Sequence, residues 1–97
     1  MTIPSKTLAY LASGRPIVSA TAGDPAAVVE ESGAGFTCPP GDPRKLADTV
    51  LRMARLSRSE RDAMGRAGRQ AYLRHYTPEI LLDRYEEMFE RTMRRAA

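Results

Sequence analysis

Three residues near the amino end, Ser5, Lys6 and Thr7, combine groups that can hold an anion. They open a short predicted helix that ends at Gly14. The first turn of a helix has backbone N–H groups without partners and about half a positive charge, and a lysine adds a mobile full charge. A diphosphate could bind there without any further catalytic group. The alternative is an ordinary helix start, in which Ser5 is the N-cap and Lys6 points to solvent.

The residues that follow predict an α/β unit. Ile17–Ala20 is a short run with β-branched residues at its start, typical of a buried parallel strand. Asp24 and Pro25 predict a second helix with Asp24 as its N-cap, and Gly33 predicts the end of that helix. Ala34–Cys38 is the second predicted strand. The run Gly33-Ala34-Gly35 is too short for a dinucleotide fingerprint, so we expect it only to end the helix and start the strand.

Two further helices are predicted after residue 42. Asp42-Pro43 starts one of them, with an apolar stripe through Leu46, Val50, Met53 and Ala54. The next covers about residues 60 to 74, and Ser59 followed by Asp62 resembles a capping box for it. This helix contains two interior glycines, Gly65 and Gly68. Since each costs about 1 kcal/mol relative to alanine, their presence predicts close approach to another backbone.

A last helix is predicted from Pro78, with Thr77 as its N-cap. Its apolar residues form two rows, Leu81-Tyr85-Met88-Thr92 and Leu82-Tyr85-Phe89-Met93. So wide an apolar face needs a partner, and the sheet of the chain itself is the simplest one. Tyr10 and Tyr85 are expected to be core or interface aromatics.

Composition narrows the class of protein. Ninety-seven residues make one small domain, and no apolar run approaches the roughly 20 residues of a membrane span. Cys38 is the single cysteine, which excludes an internal disulfide and favours a buried structural thiol. His75, the single histidine, has no catalytic partners nearby and is interpreted as structural. We find no metal-ligand spacing and no nucleophile motif.

Charge is distributed unevenly, with a net of −2 over residues 1–43 and +5 over residues 44–97. Thirteen of the fifteen basic residues are arginine. One interpretation is a non-enzymatic, arginine-rich helical module that binds nucleic acid or an acidic partner. Acidic residues interleave with the arginines, however, as in Glu60-Arg61-Asp62. That mixture favours solvated faces with i,i+4 ion pairs, so we predict no nucleic-acid partner.

Five short motifs in fixed order resemble a known family: Pro4-Ser5-Lys6, Tyr10-Leu11-Ala12, Gly14-Arg15-Pro16-Ile17, Gly33-Ala34-Gly35 and Pro40-Gly41-Asp42. Over about residues 4 to 90 the chain resembles the C-terminal part of a family 4 (group 1) glycosyltransferase of GT-B fold. The resemblance implies an α/β fold, the helix-rich C-terminal half of a Rossmann-like donor domain with two short parallel strands and about five helices. Residues 1–97 would be a partial nucleotide-sugar-binding domain, with a βα core portion at 1–43 and C-terminal helices at 44–97.

The resemblance also implies a function, the transfer of a sugar from a nucleotide-diphosphate sugar to a glycan or lipid-linked acceptor. Ser5, Lys6 and Thr7 would bind the pyrophosphate of this donor, and no catalytic residue, metal or cofactor is assigned. In the resembled family the last helix crosses back towards an N-terminal acceptor domain. We expect that domain, and the first strands of the donor domain, to be missing here, so this is an incomplete GT-B fragment. The isolated chain is then predicted to be inactive.

Several alternatives follow from that expectation. The partner is the nucleotide sugar together with either the missing acceptor domain or a complementary chain that supplies it. A truncated reading frame whose product has no function is a further alternative. A cytoplasmic location is expected, and peripheral association with the inner membrane face is left open.

One residue departs from the family pattern. The family normally has a glutamate just before the Tyr10-Leu11 pair, where it binds the ribose of the nucleotide, and this chain has Ala9. A carboxylate in that role contributes hydrogen bonds of roughly 1.5–3 kcal/mol. Its loss predicts weaker donor binding, unless ribose is contacted from elsewhere.

Overall fold

Five helices and two strands follow one another in the computed structural model, which describes residues 5–96 and the side chains of residues 6–96. They are α1 (Ser5–Ala12), β1 (Ile17–Ala20), α2 (Asp24–Glu31), β2 (Gly35–Cys38), α3 (Pro43–Arg55), α4 (Arg58–His75) and α5 (Pro78–Ala96). The predicted order of elements is confirmed. The prediction that Ser5 caps the first helix concerns a side chain outside the described ones.

The two strands are parallel and in register, with Ile17 opposite Gly35 and Ala20 opposite Cys38. They form a βαβ unit through α2, which confirms the helix-rich, Rossmann-like α/β class. The second strand begins at Gly35 and not at Ala34, although the carbonyl of Ala34 accepts a hydrogen bond from the Ile17 N–H at 3.0 Å. A side chain at Gly35 would overlap the backbone of Ile17, so the close pairing requires glycine there.

Helices cover both faces of this sheet. On one face, the guanidinium carbon of Arg52 in α3 lies 4.0 Å from the centre of the Phe36 ring, a cation–π contact. On the other face, the hydroxyl of Thr37 donates a hydrogen bond to the carboxylate of Glu30 in α2. Because side chains alternate along a strand, α3 and α2 lie on opposite sides.

The core is small and lies on the α2 side. Its buried members are Leu11, Ile17, Val28, Val29 and Ala34, and two half-buried tyrosines, Tyr72 and Tyr76, pack against them. Val28 and Val29 face inward as predicted. Cys38 is a buried free thiol, which confirms the structural interpretation of that residue.

Helix α4 joins the core through its glycines. Gly65 and Gly68 are both buried. A methyl group added at Gly65 would lie 2.8 Å from the carbonyl carbon of Gly14, and one added at Gly68 would lie 2.9 Å from the Cβ of Ala34. The prediction that these small residues admit another backbone is confirmed.

Two predicted caps are wrong. Helix α2 has Gly23 as its N-cap, with a φ of 69°, and Asp24 is already the first helical residue without a side-chain cap bond. A residue with positive φ lets the chain turn sharply out of β1, and this conformation favours glycine over aspartate.

The capping box of α4 lies two residues earlier than the predicted one. Ser57 Oγ accepts from the Glu60 N–H at 3.1 Å, and Glu60 Oε1 accepts from the Ser57 N–H at 3.2 Å. Glutamate reaches back to the cap more easily than the shorter aspartate of the predicted Ser59–Asp62 pair. The caps predicted for the other two helices are confirmed, by Asp42 for α3 and by Thr77 for α5.

Helix α5 leaves the body of the molecule. Every residue from Leu82 to Ala96 is exposed, so the prediction that this helix packs on the sheet of the chain is wrong. Tyr85 is 61% exposed and Tyr10 55%, which excludes both from the core. The radius of gyration is 16.0 Å, against about 13 Å for a compact domain of this size. Within residues 5–96, no helix has the length and apolar character needed to span a bilayer.

Candidate functional site

The ends of α1 and α2 establish where the predicted site lies relative to the sheet. Both helices end against α4: Arg69 donates a hydrogen bond to the Ala12 carbonyl at 2.6 Å, and Gly33 lies beside Ala67. The residues after these ends lead into the amino ends of β1 and β2. The amino ends of α1 and α2 therefore point the other way, towards the carboxyl ends of the strands.

Three helix N-termini consequently lie at the carboxyl edge of the sheet. Helices α2 and α3 start there because they follow the strand ends Ala20 and Cys38. We place the start of α1 on the same side because its other end leads into the amino end of β1. Ligands of open parallel α/β sheets bind at this edge. Ser5 is the first helical residue of α1, Lys6 is exposed and Thr7 is half-buried.

The three N-termini differ in how free they are to accept an anion. At α3 the carboxylate of Asp42 already accepts the Lys45 N–H at 3.1 Å. At α2 the carboxylate of Asp24 lies in the first turn and repels anions. Helix α1 has no acidic residue in its first turn and carries Lys6. Arg44 and Lys45 also add positive charge at the start of α3. Because a carboxylate lies at the start of α2 and another at the start of α3, α1 offers the best anion site of the three.

Ala9 lies one helical turn after Ser5, and residues four apart share a helix face. Its side chain is exposed, so there is room for a larger residue. Position 9, where the resemblance implies a ribose-binding glutamate, is therefore open to solvent on the face that follows the predicted phosphate turn.

Two clefts adjoin these elements. One, of about 290 Å³, lies at the carboxyl end of β2 and includes Cys38, Lys45 and Arg52. Lys45 and Arg52 add positive charge near the same edge as Lys6, a contribution that the sequence reasoning missed. Their i,i+7 spacing on a predicted helix was the available signal, because residues seven apart lie on one face.

The larger cleft, of about 610 Å³, runs along the open edge of β1, which pairs with no strand within residues 5–96. The residues that line it are Tyr10, Ser13, Arg15, Pro16, Ile17 and Val18. It extends towards the amino end of the strand, away from the predicted phosphate turn. Lys6 and Thr7 line neither of these two clefts.

The remaining candidates lie elsewhere. His75 is exposed and contacts Tyr76 edge-on, with the ring centres 6.0 Å apart. The adjacent acids Glu30 and Glu31 are exposed, and the carboxylate of Glu30 accepts the hydrogen bond from the Thr37 hydroxyl. Among the described side chains, no three His, Cys, Asp or Glu residues come together in an arrangement suited to a metal ion.

A comparison with protein families shows which class this chain belongs to. The model of the family described as glycosyl transferases group 1 matches residues 1–55, which is more than half of the chain. The chain belongs to the group 1 glycosyltransferases. The matched segment ends at the last residue of α3, so it covers the βαβ unit and the α1 turn, while α4 and α5 follow it. No curated protein and no solved structure matches the chain.

Proposed function

We propose that this chain forms the donor-nucleotide edge of a group 1 glycosyltransferase, with the first turn of α1 holding the diphosphate of a nucleotide sugar. The observation that carries the proposal is the convergence of three helix N-termini at the carboxyl edge. Of these, α2 has Asp24 in its first turn and α3 is capped by Asp42, whereas α1 combines Lys6 with a first turn that has no acidic residue. The parent reaction transfers the sugar to a glycan or lipid-linked acceptor.

In this proposal, the carboxyl edge of the sheet stabilises the negative charge of the leaving diphosphate. When the glycosidic bond to the diphosphate breaks, negative charge grows on the leaving phosphate oxygens. We expect the backbone N–H groups of α1 and the ammonium group of Lys6 to stabilise that charge without moving a proton. Ser5 and Thr7 would add hydroxyl donors in the same turn. Neither a metal nor a cofactor is part of this proposal.

We propose further that the chain does not transfer sugar by itself. Its paired acids, Glu30-Glu31 and Glu86-Glu87, are neighbours in helices and diverge by about 100°, which is a poor geometry for acid–base catalysis. The open edge of β1 offers a surface on which a complementary domain or chain could complete the sheet and supply the acceptor side. Turnover of any nucleotide sugar by the purified chain would refute this part.

Several arginines already have structural tasks, which weakens the case for an arginine-rich binding module. Arg52 stacks on Phe36, and Arg69 binds the end of α1. Arg61 donates to the Leu56 carbonyl at 2.6 Å and so holds the junction before α4. These guanidinium groups stabilise the fold, and acidic residues interrupt the remaining basic surface.

The proposal is tested by titrating the chain with UDP and GDP while following backbone amide resonances. We expect the largest shifts at Lys6 and Thr7, because their N–H groups face the bound diphosphate. Lys6→Ala should weaken binding several-fold, and pyrophosphate should shift the same amides. Lys45→Ala is the matched control, since it removes the only other lysine, at a helix start that Asp42 already caps.

Two results would contradict the proposal. One is the absence of shifts at residues 5–7 at millimolar nucleotide, and the other is equal loss of binding in the two lysine variants. Tight binding of a DNA or RNA duplex that falls steeply with salt would instead support the arginine-rich module.

A further inference from the structure

A third cleft, of about 420 Å³, lies at the end of the sheet away from the predicted phosphate turn. It is bounded by the end of α2, the last turns of α4 and the second turn of α5. Its volume is in the range of small-molecule pockets. Only the start of α5 contributes to it, so the cleft does not depend on what meets the exposed remainder of that helix.

One face of α4 forms the floor of this cleft. Four residues at helical spacing make up that face, Ala67, Gln70, Ala71 and Arg74. The two alanines are half-buried, and their short side chains leave the hollow between the helices. Gln70 and Arg74 are exposed and place an amide and a guanidinium group at its rim. The floor is therefore small in the middle and polar at the edge.

The two sides of the cleft carry opposite hydrogen-bonding chemistry. On the α2 side, Glu31 contributes a carboxylate, and the Ser32 hydroxyl already donates to the Val29 carbonyl at 3.0 Å, so that its oxygen can only accept. On the other side, Arg74 and Arg84 contribute two guanidinium groups, which can only donate. A ligand that spans the cleft needs an anion at one end and neutral donors at the other.

These charged groups are not used by the fold. Among the described side chains, Arg74 and Arg84 form no ion pair and no hydrogen bond, and the same holds for the carboxylate of Glu31. Arg61 and Arg69 differ in this respect, because both bind backbone carbonyls. Two arginines against one glutamate make the lining positive overall.

We propose that this cleft binds a small polyhydroxy compound that carries a phosphomonoester, the chemical class of the sugar phosphates. Guanidinium groups bind phosphate oxygens through paired N–H donors, so Arg74 and Arg84 hold the phosphate. The carboxylate of Glu31 accepts hydroxyl groups and repels a second anion. Tyr76, which is half-buried and packs against the core, supplies a fixed wall beside them.

A purely structural role explains only one of the two arginines. Arg74 lies in the last turn of α4, where a cation interacts favourably with the helix dipole. Arg84 lies in the second turn of α5, near the positive end of that helix, and gains nothing from the dipole. The presence of both guanidinium groups at one cleft therefore favours an anionic ligand.

Titration of the full chain at low salt tests the proposal, with glucose 6-phosphate, inorganic phosphate and glucose as probes. We expect glucose 6-phosphate to shift the backbone amides of Ser32, Gln70 and Arg74. A dissociation constant on the order of 1 mM is expected, because the charged groups are exposed and screened by solvent. Inorganic phosphate should bind roughly threefold more weakly, since it lacks the hydroxyl groups, and glucose should not bind.

Variants separate the two ends of the ligand. Arg74→Gln and Arg84→Gln should each weaken glucose 6-phosphate binding roughly fivefold. Arg66→Gln is the matched control, an exposed arginine of α4 outside the cleft, and should bind as the wild type does. Glu31→Ala should abolish the preference for glucose 6-phosphate over inorganic phosphate. Circular dichroism checks that each variant is folded.

Four results would overturn the proposal. They are the absence of amide shifts around the cleft at about 10 mM glucose 6-phosphate, an equal loss of binding in Arg66→Gln, and an unchanged preference in Glu31→Ala. The fourth is a set of shifts confined to residues 6 and 7, which would assign the phosphate to the donor edge. Because nucleotide and glucose 6-phosphate are expected to shift different amides, failure here leaves the test of the donor edge unaffected.

Discussion

Helices α4 and α5 have similar lengths, 18 and 19 residues, and both are rich in arginine, yet they behave in opposite ways. Helix α4 is held against the body through two buried glycines and has few large apolar residues. Helix α5 has five large apolar side chains on one face and buries none of its residues. The comparison shows that close packing in this chain depends on small residues and backbone contact more than on apolar content.

The reason is geometric. Near Gly65 the backbone of α4 approaches that of Gly14 so closely that no side chain fits between them, and the Arg69 side chain then reaches the end of α1. Large side chains on α5 would hold the helix axis away from the small sheet, whose α2 and α3 faces are already covered. Within the described chain, therefore, no helix or strand covers the apolar face of α5.

The largest effect is expected from Gly65→Ala. The added methyl group meets backbone that cannot move aside, so we expect the free energy of unfolding to fall by about 3 kcal/mol despite the higher helix propensity of alanine. Urea unfolding followed by circular dichroism measures the loss. Arg66→Ala, at an exposed neighbouring position, is the control and should change stability by less than about 0.5 kcal/mol. An unchanged unfolding midpoint in Gly65→Ala would contradict the close backbone contact that distinguishes α4 from α5.

A smaller loss is expected from Arg69→Met, which keeps the aliphatic stem but removes the hydrogen bond to the Ala12 carbonyl. The contact is solvent-accessible, so its removal should cost about 1 kcal/mol. Hydrogen exchange should show faster opening at the end of α1. A hydrogen-exchange rate at the end of α1 equal to that of the wild type would show that Arg69 does not hold α1 against α4.

Ser57→Ala should destabilise α4 by about 1 kcal/mol, because it removes one half of the capping box. The matched control is Ser59→Ala, two residues later, where the sequence alone predicts the cap. Comparing the unfolding midpoints of the two variants discriminates between the positions. Equal losses, or a larger loss in the control, would contradict the cap described here.

The smallest effect on stability is expected from Phe89→Ser. Since this side chain is 56% exposed and packs on nothing in the body, the free energy of unfolding of the monomer should change by less than about 0.5 kcal/mol. Urea unfolding followed by circular dichroism measures the change. A loss above 2 kcal/mol would show that α5 packs on the body, and would remove the contrast with α4.

Much of the fold follows from local signals in the sequence. Gly14 and Gly33 have positive φ at helix ends, and the β-branched start of Ile17–Ala20 gives a strand, as predicted. The N-cap of α4 was predicted wrongly because Ser57 and Ser59 are both suitable capping residues. Which of them caps the helix depends on whether a glutamate side chain can reach back to it.

The position of α5 could not be predicted for a different reason. Periodicity identifies an apolar face but says nothing of what lies within reach of it. The anion site itself stays a prediction. The order of elements in a βαβ unit determines only which helix ends lie at the carboxyl edge. The three helix N-termini could be ranked as anion sites only from the structure. The reason is that the carboxylate of Asp42 already accepts a hydrogen bond from the Lys45 N–H.

The central claim is that α1 forms the donor edge, and Ala9→Glu tests it most directly. Calorimetric titration with UDP and GDP should show affinity at least tenfold higher than in the wild type, since a carboxylate on the ribose hydroxyls adds roughly 1.5–3 kcal/mol. Pyrophosphate, which has no ribose, should bind no better. Unchanged nucleotide affinity in Ala9→Glu, or a gain shared by pyrophosphate, would contradict the account.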